Sequence, residues 1–282
     1  MNKSKEKMNA LYNTADLAEL QQLLEKVYRE RGFDFREYRV SILSRRIGRR
    51  MRARRAEGFS GYARVLDADP GEYSRLFNDL TINVTSFFRD RIAFNSLKET
   101  VLPRILASNQ EQGGGARIWS AACSNGAEPY SIAMLLHELS TSHKMLKGIT
   151  ILGTDLDPKV IDQARKGCFS RKEVEGIDPA WLDKYFTPED DTVCAGPQLR
   201  GHVEFQTHDL TSDFPYPDVD LLVCRNVLIY FLPILQNRVL KGFHEALRPG
   251  GFLLLGKAEM PPGETRHLFD RIDKKARLYG KK

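Results

Sequence analysis

The sequence predicts an α/β protein built on a doubly wound, mostly parallel sheet, with a small all-helical domain in front of it. Two observations predict this. From Ala116 onward, short apolar runs alternate with segments of helical period, which implies parallel strands covered on both faces. Before about residue 80, apolar residues recur at three- and four-residue intervals instead. The pattern divides the chain into an N-terminal helical domain (10–80), a linker with a connecting helix (81–115) and the α/β domain (116–282).

In the helical domain, Leu17, Leu20, Leu24, Val27 and Tyr28 share one face of TADLAELQQLLEKVYRERG, and Gly32 supplies a stop. Next, Val40, Leu43, Ile47 and Met51 form a narrow apolar stripe, while Arg45, Arg49 and Arg52 point the opposite way. A third helix is expected with Tyr62, Val65 and Leu66 facing inward. LTINVTSFFR (80–89) is rich in β-branched and small polar residues and reads as an extended linker. A helix then runs from Asp90 through Leu97 and Val101, kinked or ended by Pro103, and Gly113-Gly114-Gly115 closes the segment.

The expected strands are 117–123, 149–155, 202–209, 220–226 and 251–259, with helices at 129–140, 158–166 and 232–247. FDRID and ARLYG, joined by a short charged turn, read as a closing antiparallel pair. Residues 168–201, with many Asp, Pro and Gly, are too long for a simple connection and read as a small inserted subdomain.

Composition narrows the function. With 41% hydrophobic and 28% charged residues, the 282-residue chain is an ordinary globular protein. Its longest apolar runs, such as Phe252–Leu255, fall far short of the ~20 residues that cross a bilayer. The polar start MNKSKEKMNALYN has no signal-peptide core, so a cytoplasmic protein without membrane insertion is expected. Cys123, Cys168, Cys194 and Cys224 lie far apart, with no C-x-x-C and no Cys/His cluster; four ordinary thiols, no metal and no disulfide are expected. The formal net charge is +6, yet residues 41–55 alone hold seven arginines and no acid, which leaves the remainder at −1. The positive charge belongs to one segment.

In an open parallel sheet, ligands bind beyond the carboxyl ends of the strands where strand order reverses. The first strand ends in SAACSNGAEPYS, whose small residues and Gly126 allow close approach of a ligand or make an ordinary tight turn. The second ends in Gly153-Thr154-Asp155-Leu156-Asp157-Pro158, where two acids permit a division of labour: Asp155 for ribose hydroxyls, Asp157 for a helix cap. The third ends in Thr207-His208-Asp209-Leu210, either an adenine contact or a surface turn. In the fourth, Asn226 and Tyr230 stand four residues apart, similar to the Asn-Pro-Pro-Tyr element of amino-group methyltransferases but without the prolines. LRPGGFLLLG (247–256) is a helix end, a tight turn and a buried strand, an order typical of class I methyltransferases.

NVTSFFRD, WSAACSNGAEPYSIAM, GTDLDPKVIDQAR and CRNVLIYF, in this order and spacing, closely resemble the chemoreceptor methyltransferases called CheR, from about residue 10 to the C-terminus. The resemblance implies a class I methyltransferase fold that uses S-adenosylmethionine and releases S-adenosylhomocysteine. It implies cofactor contacts at Asn83, Thr85, Arg89, Glu128, Asp155, Asp209, Leu210, Asn226 and Val227, with Tyr230 facing the methyl group. Asp209 departs from the family's usual Asn, and Lys257-Ala258-Glu259 stands where many relatives have His-Ser-Glu or His-Ala-Glu. Region 168–201 corresponds to a small β-subdomain that docks a receptor's C-terminal peptide in some members.

The implied reaction is methylation of glutamate side chains on the cytoplasmic domains of chemoreceptors. A carboxylate of pKa ~4.3 is already ionised at neutral pH and needs no general base. Arg89, suited to orienting a planar carboxylate, and Tyr230, shaping the pocket, are the expected catalytic residues. Arg45, Arg49 and Arg52 are expected to recognise the acidic helices of the receptor. A monomer that binds no nucleic acid is expected. Two other functions fit parts of the sequence. A nucleic-acid methyltransferase would use the arginine helix on phosphates, against the slightly acidic remainder and the missing prolines. A non-catalytic cofactor-binding adaptor would have no use for Arg89, Asn226 and Tyr230. Cys123 and Cys224, on strands expected to be neighbours, read as two buried thiols rather than an oxidative pair.

Overall fold

The computed structural model describes residues 14–81, 83–112, 114–212, 214 and 216–282. The described residues form two compact units, one of residues 14–81 with Tyr230–Leu235, the other lying within Asn83–Ile229 and Gln236–Lys282.

The first unit holds α1 (Thr14–Arg31), α2 (Val40–Ala53), α3 (Gly58–Ala68) and α4 (Gly71–Leu80). Helix α1 buries Leu20, Leu23, Leu24 and Val27, and ends where Gly32 takes a left-handed φ and donates its N–H to the Tyr28 carbonyl. Helix α4 was not anticipated. Its Pro70-Gly71 start resembles a turn, yet Tyr73, Leu76, Phe77 and Leu80 are buried at helical spacing. It also carries Glu72, which is 0% exposed. Arg50 of α2 grips the Glu72 carboxylate at 2.8 and 2.9 Å and the Tyr62 hydroxyl donates to it at 2.8 Å. Burial alone would raise the Glu72 pKa, but its bonds to Arg50 and Tyr62 prevail and hold it below the ordinary carboxylate range. Arg54 adds bonds to Asp69 at 2.7 Å and Glu72 at 3.3 Å. The arginine helix is therefore divided: Arg50 and Arg54 face inward to these acids, whereas Arg45, Arg49 and Arg52 are exposed.

The second unit begins with the extended linker and α5 (Arg91–Ser96), which passes through a π turn at Leu97–Val101 into α6 (Leu102–Gln112). Pro103 does not end this helix, which continues to Gln112. The wider turn just before it, closed by the Leu102 N–H on the Leu97 carbonyl, accommodates the hydrogen bond that proline cannot make. Then follow β1 (Ala116–Ala121), α7 (Ala127–Leu139), α8 (His143–Leu146), β2 (Ile149–Asp155) and α9 (Pro158–Lys166). Next come β3 (Cys168–Ser170), α10 (Pro179–Tyr185), β4 (Phe186–Glu189), β5 (Thr192–Ala195) and α11 (Pro197–Arg200). The chain closes with β6 (Val203–Thr207), β7 (Val219–Cys224), α12 (Pro233–Ala246), β8 (Leu247–Leu255), β9 (Phe269–Asp273) and β10 (Leu278–Lys281).

Seven strands form one sheet in the order β6-β2-β1-β7-β8-β10-β9, parallel except for β10, which runs antiparallel to both neighbours. Every residue of β7 is buried, as expected of a central parallel strand. From β1 the chain builds outward through β2 to β6, then returns to β7 on the other side. The crevice thus opens at the tips of β1, β2 and β7.

Strands β3, β5 and β4 form a separate antiparallel sheet. In it Cys168 and Cys194 face each other in register and are joined by a disulfide. This corrects the expectation of four free thiols. A sequence separation of 26 carries no pairing signal, and the contact exists only because β4 and β5 fold back onto β3. Cys123 and Cys224 are free and buried, and burial, with nearby carboxylates, pushes both thiols well above their ordinary pKa.

Candidate active site at the strand tips

Backbone conformation marks the crevice. Ala122 and Ser124 after β1, and Asn226 after β7, adopt left-handed φ of 60°, 54° and 64°, and Gly126 adopts 89°. Four such residues on two adjacent strand tips concentrate backbone strain where ligands bind in this architecture. Gly126 is required twice over: besides its φ, a Cβ there would come within 2.9 Å of both Ala164 and the Phe205 ring.

Asp155 ends β2, nearly buried. Its two oxygens accept the Ser124 N–H at 2.9 Å and the Asp157 N–H at 3.0 Å, so this carboxylate shapes the loop after β1. Burial outweighs these bonds and raises its pKa. A carboxylate offers about four acceptor positions, which leaves capacity for ribose hydroxyls. Asp157 caps α9 by accepting the Lys159 N–H at 2.9 Å, with Pro158 at the first helical position. Its second oxygen accepts Asn83 Nδ2 at 2.8 Å, and the Asn83 carbonyl accepts the Ser124 hydroxyl at 3.1 Å. Asn83 thereby fastens the linker to the tips of both strands.

Further along the linker, the exposed Arg89 folds back to donate to the Val84 carbonyl at 2.7 Å, and Thr85 lies half-buried between them. Glu128 accepts the Ser120 hydroxyl at 2.8 Å and Arg225 at 3.1 Å. Arg225, buried at the tip of β7, also donates to the Arg89 carbonyl at 2.6 Å and lies 3.7 Å from Asp90. Asn226 presents its N–H to Glu259 at 3.0 Å; the same carboxylate accepts Gly256 N–H at 2.7 Å and Ile229 N–H at 3.3 Å. Burial raises the Glu259 pKa in spite of these amides. A Cβ on Gly256 would lie 2.5 Å from Glu259 Oε2 and 2.8 Å from the Asn226 nitrogen, so no side chain fits there.

Hydrogen bonds thus link Asn83 to Asp155 through Ser124 and Arg89 to Glu128 through Arg225, while Asn226 is held separately by Glu259, and Val227 follows half-buried. Asp209 turns inward on its own loop, accepting Thr211 N–H at 2.8 Å, while Leu210 is buried. Tyr230 packs with the helical unit, where its carbonyl accepts Arg39 N–H at 2.8 Å. Two residues to which the sequence assigns no role hold the site together: Arg225 and Glu259. A charge directly after the apolar run Leu221–Cys224 must be paired once buried, and that signal could have singled out Arg225.

The donor set suits a ligand with ribose hydroxyls, an amino-acid carboxylate and a cationic centre. Asp155 supplies an acceptor, Asn83 and Asn226 contribute amides at the rim, and Arg225 Nε is buried without a hydrogen-bond partner among the described residues. Sheet order, the antiparallel β10 and a polar crevice at the strand reversal define a class I methyltransferase whose methyl donor is S-adenosylmethionine. The chain belongs to the CheR methyltransferase family: residues 83–277 match the SAM binding domain of that family and residues 18–81 its all-alpha domain.

It is 35% identical over 234 residues to the chemotaxis protein methyltransferase of Listeria monocytogenes, covering 83% of this chain and 86% of that protein. With the Escherichia coli chemotaxis protein methyltransferase it shares 31% identity, covering 86% of this chain and 84% of the relative. It is also 35% identical to an uncharacterized 104.1 kDa protein of Rhodobacter capsulatus, covering 80% of this chain but only 24% of that protein. Among solved structures, a TehB-like SAM-dependent methyltransferase from Corynebacterium glutamicum aligns at 16% identity and a TM-score of 0.35, over 68% of this chain and 97% of that one. No helix among the described residues is long and apolar enough to cross a membrane.

Proposed function

We propose that the protein transfers a methyl group from S-adenosylmethionine to glutamate side chains on the cytoplasmic domains of chemoreceptors, forming methyl esters for sensory adaptation. The observation that carries this reading is the match to both CheR domain models in one chain, with the linker between them tied into the crevice. Relatives that this chain covers over most of their length are chemotaxis protein methyltransferases, which supports a chemotaxis substrate.

The bound donor supplies an electrophilic methyl group. In this proposal the chain's own residues do the rest. Asp155 accepts the ribose hydroxyls, while Asn83, Thr85, Glu128, Asp209, Leu210, Asn226 and Val227 line the donor. The glutamate is ionised without a base, so the protein's task is positioning and exclusion of water. Arg89 guides the carboxylate and Tyr230 shapes the pocket around the methyl group. On the helical unit, Arg45 and Arg52 are exposed and form no ion pair among the described residues, while Arg49 is exposed and holds Asp79 loosely at 3.4 Å. This face suits an acidic helical partner. The test is incubation of the full chain with labelled S-adenosylmethionine and receptor cytoplasmic fragments. Base-labile label released as methanol is expected; label stable to base, or found on nucleic acid, overturns the reading.

A further inference from the structure

We infer that the Cys168–Cys194 pair is a thiol–disulfide exchange site whose redox state sets how tightly the crevice holds its nucleotide ligand. The inference concerns a step separate from the acceptor substrate. Three features of the second unit carry it: where the bond lies, how exposed each cysteine is, and what β3 is connected to.

The bond joins the first strand of the small sheet to its central strand, directly across an antiparallel register. The closed loop contains α10 and β4, so the bond restrains nearly the whole small sheet. β3 is only three residues long and lies at an edge, with few ladder hydrogen bonds of its own to hold it. Cys168 is half-buried, whereas Cys194 is 4% exposed. Cys168 is thus the more exposed cysteine of the pair, and the exchange is assigned to attack at its sulfur.

β3 leads straight to the crevice. Phe169 packs edge-on against Phe87 of the linker at 4.8 Å. Ser170 donates its N–H and its hydroxyl to one oxygen of Glu173, at 2.8 and 2.7 Å. The other Glu173 oxygen accepts Asn125 Nδ2 at 2.7 Å, and Asn125 lies in the strained loop between β1 and α7. Gly176 sits close enough to the Phe87 carbonyl that a Cβ would approach it to 2.9 Å. Two contacts thus run from the cystine strand, one to the linker and one to the loop that Asp155 holds. Loosening β3 releases order in both, and a ligand must then restore that order on binding.

The exchange balances with a dithiol reductant. Its thiolate attacks Cys168 Sγ, the Cys168–Cys194 bond breaks, and Cys194 leaves as thiolate and takes a proton. The reductant's second thiol then displaces Cys168 from the mixed disulfide. Two electrons pass to the protein, and the reductant departs as its own disulfide.

The test uses the full chain purified in air. Thiol titration in denaturant is expected to find two reactive groups, Cys123 and Cys224, before dithiothreitol treatment and four after it. Calorimetry with S-adenosylhomocysteine is expected to show affinity lower on the order of tenfold for the reduced chain, a typical coupling between distinct sites. Reoxidation should restore it. The Cys168→Ser/Cys194→Ser double variant should bind as the reduced chain does, whatever the redox buffer. Should that variant not fold, reversible reduction of the unaltered chain decides alone. Four thiols in the air-purified protein, or equal affinity in both states, overturns the inference. Failure to methylate receptors would leave these readouts intact and bears only on the proposed acceptor.

Discussion

Arg225 at the tip of β7 donates to Glu128 on α7 at 3.1 Å and, through its other terminal nitrogen, to the Arg89 carbonyl at 2.6 Å. One guanidinium thus fixes the linker against the first helix after β1. Both side chains are almost entirely buried, so removing either leaves an uncompensated charge, at a cost of about 3–5 kcal/mol. Arg225→Met should lower the melting temperature and, by displacing Arg89, cut turnover by roughly 10²-fold. Arg225→Lys keeps the charge but loses the fork, and should recover stability more than rate. Because the two residues act as a unit, Arg225→Met combined with Glu128→Gln should cost less than the sum of the single changes. Additive losses in thermal melts would show that the pair is not coupled.

Asp155 makes donor binding pH-dependent. Burial raises its pKa above the ordinary aspartate value, so on acidification the folded protein takes up this proton before a free aspartate would. In the window between the ordinary and the raised value the folded state holds the proton more tightly. This group's contribution to stability therefore rises as pH falls, while its ability to accept from Ser124, Asp157 and a ribose declines. Calorimetry should find S-adenosylhomocysteine affinity falling with a midpoint above the ordinary aspartate range. Asp155→Asn should bind weakly at every pH and lose that inflection.

How much of this arrangement can be read in the sequence depends on how local its cause is. β2 and α9 fall where the sequence places them because their signals are adjacent in the chain: a β-branched run, Asp157-Pro158 as cap and first turn, and Gly167 at a left-handed φ. The FDRID strand is legible for the same reason. Helix α4 was hidden because Pro70-Gly71 looks like a turn, and its inward face becomes apparent only against Arg50 and Tyr62. Pro103 does not stop its helix because a π turn upstream, invisible in composition, absorbs the missing hydrogen bond. The cystine and Arg225 share one difficulty, partners far away in the chain, and Glu259 shares it in part, for beyond nearby Gly256 it meets Asn226 and Ile229 only in the fold.

Glu72 is the keystone of the helical unit, and its removal should be felt there. Fully buried, it satisfies Arg50 and Tyr62 and draws in Arg54 and Arg75. Its pKa lies below the unfolded value, so its stabilising contribution is present above the ordinary glutamate range and is lost as pH falls through the lowered value. Glu72→Ala should destabilise the unit by about 3–5 kcal/mol at neutral pH, measured by urea unfolding. Equal stability of variant and parent at neutral pH would mean that the cluster is not the anchor its geometry describes.

The Arg89 side chain is exposed and, among the described residues, bonds only to the Val84 carbonyl, while Arg225 holds the Arg89 backbone, so loss of the side chain should spare the fold. Arg89→Ala is expected to melt within a degree or two of the parent, since exposed substitutions usually change stability by less than about 0.5 kcal/mol. Turnover with receptor fragments should nonetheless fall by about 10²-fold, the scale of a misplaced reacting group. A variant with full transfer activity would remove Arg89 from the proposed chemistry.

The exposed arginine face offers the clearest separation of recognition from catalysis. Arg45, Arg49 and Arg52 point away from the Leu43–Ile47 stripe that packs inside the helical unit, so changing their charge leaves that core untouched. Of the three, among the described residues only Arg49 has a local acid to lose, Asp79 at 3.4 Å, and a surface pair of that kind contributes about 0–1 kcal/mol. Reversing all three to Glu turns attraction for an acidic helix into repulsion. Receptor methylation should then fall by at least about tenfold at low salt, and by less as salt screens both enzymes over a Debye length of about 8 Å at physiological ionic strength. S-adenosylhomocysteine affinity should not change, because the proposed donor contacts lie on other residues. Should donor affinity and methylation fall together, the helix supports the structure of the crevice rather than the capture of a partner.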